Sequence, residues 1–138
     1  VASILLLFVA VAASIRHGTI DVGGRVTCNG KPLAGVEVQI VDNANFGDKV
    51  ATKKTGHIGF FEITGTAKNK VFDFKPQLII KHNCNYKGFP SKTCKRQHAF
   101  DLPQSYIAPI GVLPNRYIMN ELDMRLLHKG EKDNTKCH

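Results

Sequence analysis

The sequence predicts an all-β protein, an antiparallel sandwich or barrel. Three observations predict it. Apolar and polar residues alternate with period 2 almost throughout. Turn signals recur every ten residues or so. No window carries a helical apolar stripe of useful length.

The elements follow in order. A first strand is expected over about 19 to 28, with Ile20, Val22 and Val26 alternating around Gly24. The stretch CNGKPLAGVEVQI (28 to 40) then sets Asn29-Gly30, a hairpin signal, before Pro32. The second strand covers about 34 to 42, where Val36, Val38 and Ile40 face one way and Glu37 and Gln39 the other. Residues 43 to 48 form a polar loop, and a third strand covers 48 to 55. Gly56 and Gly59 bracket a turn into a fourth, 60 to 66. Pro76 precedes a fifth, 77 to 84, with Leu78 and Ile80 on one face. Gly88, Pro90 and Ser91 mark a long basic loop before a sixth strand, 95 to 102, closed by Pro103. Residues 106 to 114 are apolar, but Pro109, Gly111 and Pro114 argue for an extended connection. Leu122, Met124 and Leu126 alternate with Asp123 and Arg125 in the last expected strand, and 129 to 138 reads as a mobile tail unless Cys137 ties it down.

Residues 4 to 13 are ten consecutive apolar residues, followed by Ser14 and, at Arg16, the first charge of the chain. This is the apolar region and cleavage zone of a secretory signal peptide, too short for a bilayer span of about 20 residues. Without an initiator Met or a basic leader it reads as N-terminally truncated. The expected organisation is a signal peptide at 1–14 and one β-sandwich domain at 15–138, secreted and not membrane-spanning. A domain of that length buries roughly two-thirds of its unfolded surface.

Cys28, Cys84, Cys94 and Cys137 form an even set in a chain expected to be secreted, which argues for two disulfides. Sequence alone leaves three connectivities. Cys84 and Cys94 flank a short loop between consecutive strands, an easy geometry for a bridge, which leaves Cys28 for Cys137. Zinc is the competing reading, with His82, Cys84, Cys94 and His98 near one loop, but the spacing is not a standard finger and an oxidising route favours disulfides.

The chain carries a formal net charge of +8. The excess is local: residues 68 to 98 hold eight Lys and Arg against Asp73 alone. Such a block attracts acidic lipids, sulfated glycans or acidic proteins, or merely keeps the protein soluble. Lys81, Lys87, Lys92, Lys95 and Arg96 are the candidate acidic-ligand patch. Tyr86 and Phe89 interleave with it, but a secreted protein is not expected to meet nucleic acid.

No catalytic constellation emerges. Ser91 and Ser105 sit in no nucleophile elbow, Gly23-Gly24 is a strand feature rather than a phosphate loop, and no carboxylate pair can be placed together. His17, His57 and His128 stand alone. No catalytic residue, metal or cofactor is expected.

Several runs resemble one family. GRVTCNGKPLAGVEVQIVD (24 to 42) resembles the opening strands of the transthyretin-like family, small secreted proteins abundant in nematodes. TGHIGFF (55 to 61), PQLIIKHNC (76 to 84), CKR (94 to 96), LPQSYI (102 to 107) and Cys137-His138 resemble its later segments. The resemblance implies a transthyretin-like sandwich of seven or eight strands with pairings Cys84–Cys94 and Cys28–Cys137. It implies no thyroid-hormone channel that can be mapped here. The related 5-hydroxyisourate hydrolases use a first-strand histidine and a Tyr-Arg-Gly-Ser ending; here the first strand offers Thr27-Cys28 and that tetrapeptide does not occur. The function expected is a non-enzymatic extracellular recognition module for an acidic surface or a protein partner. The alternative is a carrier of a small apolar ligand at a pocket or oligomer interface, lined by Tyr106 to Leu113.

Overall fold

Alternation becomes burial in β1 (Gly18–Cys28), where Ile20, Val22 and Val26 are fully buried and Asp21 and Arg25 lie on the opposite face. The computed structural model describes residues 17–68, 72–84, 95–125 and 132–136, with Lys95 and 132–136 described as backbone. Asn29 and Gly30, at φ 53° and 79°, turn β1 into the two-residue arm β2 (Lys31–Pro32). These are the left-handed conformations that an Asn-Gly hairpin turn requires. β3 (Glu37–Asp42) buries Val38, Ile40 and Asp42 and pairs antiparallel with β4 (Asp48–Lys54). β5 (Phe60–Ala67) alternates strictly, with Phe61, Ile63 and Ala67 inward. β6 (Pro76–His82), β7 (Lys95–Asp101), a 3-10 turn at Gln104–Tyr106, β8 (Arg116–Asp123) and β9 (Lys132–Lys136) complete the chain order.

Two sheets face each other. In one, β1 has β5 on one side and β8 on the other, with β2 as a short arm; in the other the order is β4-β3-β6-β7-β9. The core between them is largely aliphatic. The rings of Phe61, Phe74 and Phe100 join Ile20, Ile40, Leu78, Ile80 and Met124 there. The eight longer strands agree with the expected count, and no α-helix occurs among the described residues.

Three expectations are corrected. The last expected strand around Leu122 starts earlier, at Arg116, and lies parallel to β1, with Val22 opposite Tyr117. A bulge at Asn120, φ 59°, shifts its register between Gly23 and Arg25. Residues 132–136 form β9 against β7 rather than a free tail. The disulfide among the described residues is Cys28–Cys84, with the Cα atoms 5.7 Å apart, which overturns the pairings Cys84–Cys94 and Cys28–Cys137. The reason is direction. Cys84 is buried at the inner side of its strand's end, so it meets the end of β1 on the facing sheet rather than its lateral neighbour. Cys94 and Cys137 lie outside the described residues, as do the apolar leader 1–14 and Leu126.

The registers sort the strand termini into two ends of the sandwich. One end, here the staple end, holds Cys28, the Asn29-Gly30 turn, residues 55–59, His82 to Cys84, Arg96 and Asp123. The other, the tip end, holds Gly18, the loop from Asp42 to Asp48, Ala67, residues 72–76, Asp101 and the 102–115 connection.

Candidate functional site

On the outer face of the sheet centred on β1, two glycines lie side by side in the strand, and a groove of about 430 Å³ lies over them. Gly23 and Gly24 form its floor, and Phe60, Ile118, Arg25 and Arg116 its walls. Gly23 faces outward with Asp21 and Arg25, and a Cβ on it would sit 3.1 Å from Arg116 Cδ; Gly24 faces inward, where a Cβ would sit 3.0 Å from the Phe61 ring. Phe60 and Ile118 are more than half exposed on neighbouring strands. Arg116 donates from Nε to Asp21 Oδ2 at 3.2 Å and from Nη1 to Glu62 Oε1 at 2.9 Å. Arg25 donates from Nε to the Ile58 carbonyl at 3.0 Å and lies 5.7 Å from the centre of the Phe60 ring. The groove therefore combines an apolar bed with two oriented guanidinium groups and the carboxylates of Glu62 and Glu121 at its rim, the usual pattern of a small-molecule site.

A second groove, about 400 Å³, lies beside the disulfide between Leu33, Val36, Lys81 and Asn83. It is framed by Thr55, whose hydroxyl donates to the Leu33 carbonyl at 2.6 Å and accepts the Val36 N–H at 3.0 Å. Beneath it His82 accepts the Cys84 N–H on Nδ1 at 3.0 Å and meets His98 edge-on, with ring centres 4.6 Å apart. Both imidazoles are buried. With Cys84 oxidised, the zinc alternative loses one thiolate. No group of three metal-ligating side chains occurs among the described residues.

The basic patch is only partly gathered. Lys81 stands on β6 opposite Glu37 on one side and Gln97 on the other. Arg96 turns back and donates from Nη1 to the Cys84 carbonyl at 2.9 Å, so it braces the disulfide turn. Lys95 holds a backbone position opposite Lys136. Lys87 and Lys92 lie outside the described residues.

The apolar stretch expected to line a pocket divides. Tyr106 packs on Tyr117 at 4.9 Å between ring centres, and Ile107 and Ala108 are buried beside Thr19. Ile110, Val112 and Leu113 point to solvent at the tip end. The groove over Gly23-Gly24 was the missed site. Its signal was present as adjacent glycines in a strand, which mark a close approach, but the partners Phe60 and Ile118 come from strands whose pairing with β1 the sequence does not specify.

One electrostatic feature fixes the staple end. Partial desolvation pushes the Asp123 carboxyl up, but the N–H groups of Arg125, Asn29 and Gly30 and the Arg125 charge outweigh it and hold the group below its ordinary value. Its Oδ1 accepts Asn29 N–H at 2.9 Å and Arg125 N–H at 3.0 Å.

Fold and groove together define a small disulfide-stapled β-sandwich with a groove on the outer face of one sheet. The family model described as "Transthyretin-like family" matches residues 23–103, and the chain belongs to the transthyretin-like family. Its relatives include Caenorhabditis elegans transthyretin-like protein 5, 38% identical over 109 residues, covering 75% of this chain and 76% of the relative. Transthyretin-like protein 16 of the same organism is 32% identical over 140 residues, covering 99% of this chain and 96% of the relative. Transthyretin-like protein 2 is 31% identical over 113 residues, covering 73% and 74%.

Proposed function

We propose that this protein is a non-enzymatic extracellular binding protein that holds a small amphipathic ligand in the groove over Gly23-Gly24. The observation that carries the reading is the bare glycine floor between two half-exposed apolar walls, Phe60 and Ile118. A ligand lying there removes both walls from water, at about 25 cal/mol for each Å² of apolar surface covered. Arg116 and Arg25 are held by hydrogen bonds at the groove's margin and orient a polar or anionic group on that ligand. An extracellular setting is supported by the N-terminal apolar run and by the cross-sheet disulfide.

The test is binding of the anionic apolar dye 1-anilinonaphthalene-8-sulfonate. Ile118→Glu, a change on the exposed face of an edge strand, should weaken binding at least tenfold and leave the unfolding midpoint in place. Equal binding by both proteins would exclude the groove.

A second reading is supported by the sheet register: recognition of an acidic ligand such as a sulfated glycan at the staple end. Lys81 and Lys95 occupy neighbouring strands near the disulfide, and Lys136 lies opposite Lys95. Retention on heparin that survives physiological salt and is lost in Lys81→Glu with Lys95→Glu would support it; unchanged retention in that variant would refute it.

A further inference from the structure

The tip end carries a surface that the groove does not use. Phe46 is 91% exposed and Leu113 is 92% exposed. Phe72, Ile110 and Val112 on the same end are about half exposed. These five side chains come from three separate segments: the β3–β4 loop, the approach to β6 and the connection into β8.

The β3–β4 loop is built to hold its phenylalanine out. Asp42 is fully buried and accepts from Asn45 Nδ2 at 2.7 Å, Lys75 N–H at 3.1 Å and Ala44 N–H at 3.3 Å. Asn45, also buried, is clamped to Phe72 in both directions. Its Nδ2 donates to the Phe72 carbonyl and its Oδ1 accepts the Phe72 N–H, each at 3.1 Å. The network ties the two aromatic segments together, and the rings of Phe46 and Phe72 meet edge-on with centres 6.4 Å apart. Phe46 itself is at φ 62°, a left-handed conformation unusual for a phenylalanine. A buried polar lattice thus fixes an aromatic residue in water, where it contributes nothing to the core.

We propose that the tip end docks the protein on a lipid surface, with Phe46 and Leu113 inserted at the headgroup boundary. Two observations favour a bilayer over a folded partner. The exposed side chains stand as two projecting groups, the Phe46–Phe72 pair and Ile110 to Leu113, and a fluid interface closes around separate projections where a rigid partner needs a pocket for each. Lys49, Lys68 and Lys75 are exposed at this same end, alongside Asp48 and Asp73, on a chain of net charge +8. Lysine ammoniums beside apolar tips complement lipid phosphates while the rings enter the apolar layer. Insertion is driven chiefly by the apolar tips, so a neutral phosphatidylcholine surface suffices and acidic lipid strengthens it. This surface is independent of the Gly23-Gly24 groove and lies at the opposite end from Lys81 and Arg96.

The chain contains no tryptophan, so Phe46→Trp places a single reporter at the tip. Its emission should shift to the blue and be quenched by brominated acyl chains on vesicles of phosphatidylcholine alone, and more so with phosphatidylserine added. In co-flotation of the otherwise unaltered chain, Phe46→Ser with Leu113→Ser should lower partitioning at least about tenfold. Both side chains are exposed, so the fold is retained. Lys81→Glu should leave partitioning unchanged. Emission from the Phe46→Trp protein that stays unshifted on both vesicles would overturn the proposal. So would binding that demands phosphatidylserine, ignores the tip changes and disappears with Lys81→Glu. Neither result bears on dye binding in the groove, which Ile118→Glu tests separately.

Discussion

The two ends of this sandwich are locked by similar means and dressed in opposite ways. At the staple end a disulfide joins one sheet to the other, the rings of His82 and His98 meet edge-on between adjacent strands of one sheet, and the hydroxyl of Thr55 turns to the Leu33 carbonyl. At the tip end the buried Asp42–Asn45 lattice locks the loops just as firmly, yet the side chains beyond it face water. The difference separates holding the fold from presenting a surface. Where cross-sheet bonds consume the side chains, the end is structural. Where the lattice is confined to backbone and two short polar side chains, large apolar groups are released for contact.

Removing the staple puts this contrast under the greatest strain. The Cys28–Cys84 link spans 56 residues, and closing a loop of that length contributes about 4 kcal/mol in the chain-entropy model. Cys28→Ser with Cys84→Ser should lose about that much in urea unfolding, whereas vesicle partitioning of the protein that remains folded should not change. The remaining cysteines, Cys94 and Cys137, adjoin Lys95 and Lys136 in the sequence, and those two lysines pair in the β7–β9 ladder. Peptide mapping of the oxidised protein should therefore recover Cys94 linked to Cys137; a Cys84–Cys94 peptide would contradict the fold.

Next in size are two changes, one at each end. Gly59, at φ 83°, leaves a Cβ position only 2.5 Å from the Val26 carbonyl, so Gly59→Ala meets both a clash and a disfavoured backbone and should cost about 3 kcal/mol. Asn45→Ala removes three hydrogen bonds and strands part of a buried carboxylate, and should cost about 2 to 3 kcal/mol. The second change should also weaken lipid partitioning by freeing Phe46; the first should not. Equal effects on partitioning would erase the distinction between the ends.

Much of the fold was legible because burial and alternation coincide. In β5 every second residue is inward and in β1 Ile20, Val22 and Val26 are buried, whereas β3 buries Gln39 and Asp42 along with Val38 and Ile40. The Asn29-Gly30 turn was legible from its backbone requirement alone. What the sequence concealed depends on facing rather than on succession. Cys84 chose a partner 56 residues back because inward direction, not chain proximity, decides a disulfide between sheets. β8 was misplaced because its apolar residues are partly exposed and a bulge at Asn120 breaks its period. The groove escaped for the same reason: Gly23, Phe60 and Ile118 meet only through strand pairing. Phe46 looked like one more residue of a polar loop, since nothing local reveals that Asp42 and Asn45 are buried beneath it.

The smallest effect expected is a pH-dependent one, and it is confined to the staple end. The Asp123 carboxylate ties the Asn29-Gly30 turn to the end of β8 through N–H donors on both segments. Its pKa in the folded chain is lowered, so its contribution is fully present above the unfolded value near 3.9 and is lost as pH falls through the lower folded value. Asp123→Ala should cost about 1 kcal/mol in urea unfolding at pH 7, and that gap should narrow steadily below about pH 4. Partitioning of Asp123→Ala on phosphatidylcholine should match the unaltered protein throughout, because the turn it holds lies at the far end from Phe46 and Leu113. A gap that widens as pH falls would reverse the assigned sign and show that the carboxyl bonds its turn in the protonated form. A gap that persists unchanged to about pH 2, below the ordinary carboxylate range, would mean that the side chain acts there through packing rather than charge.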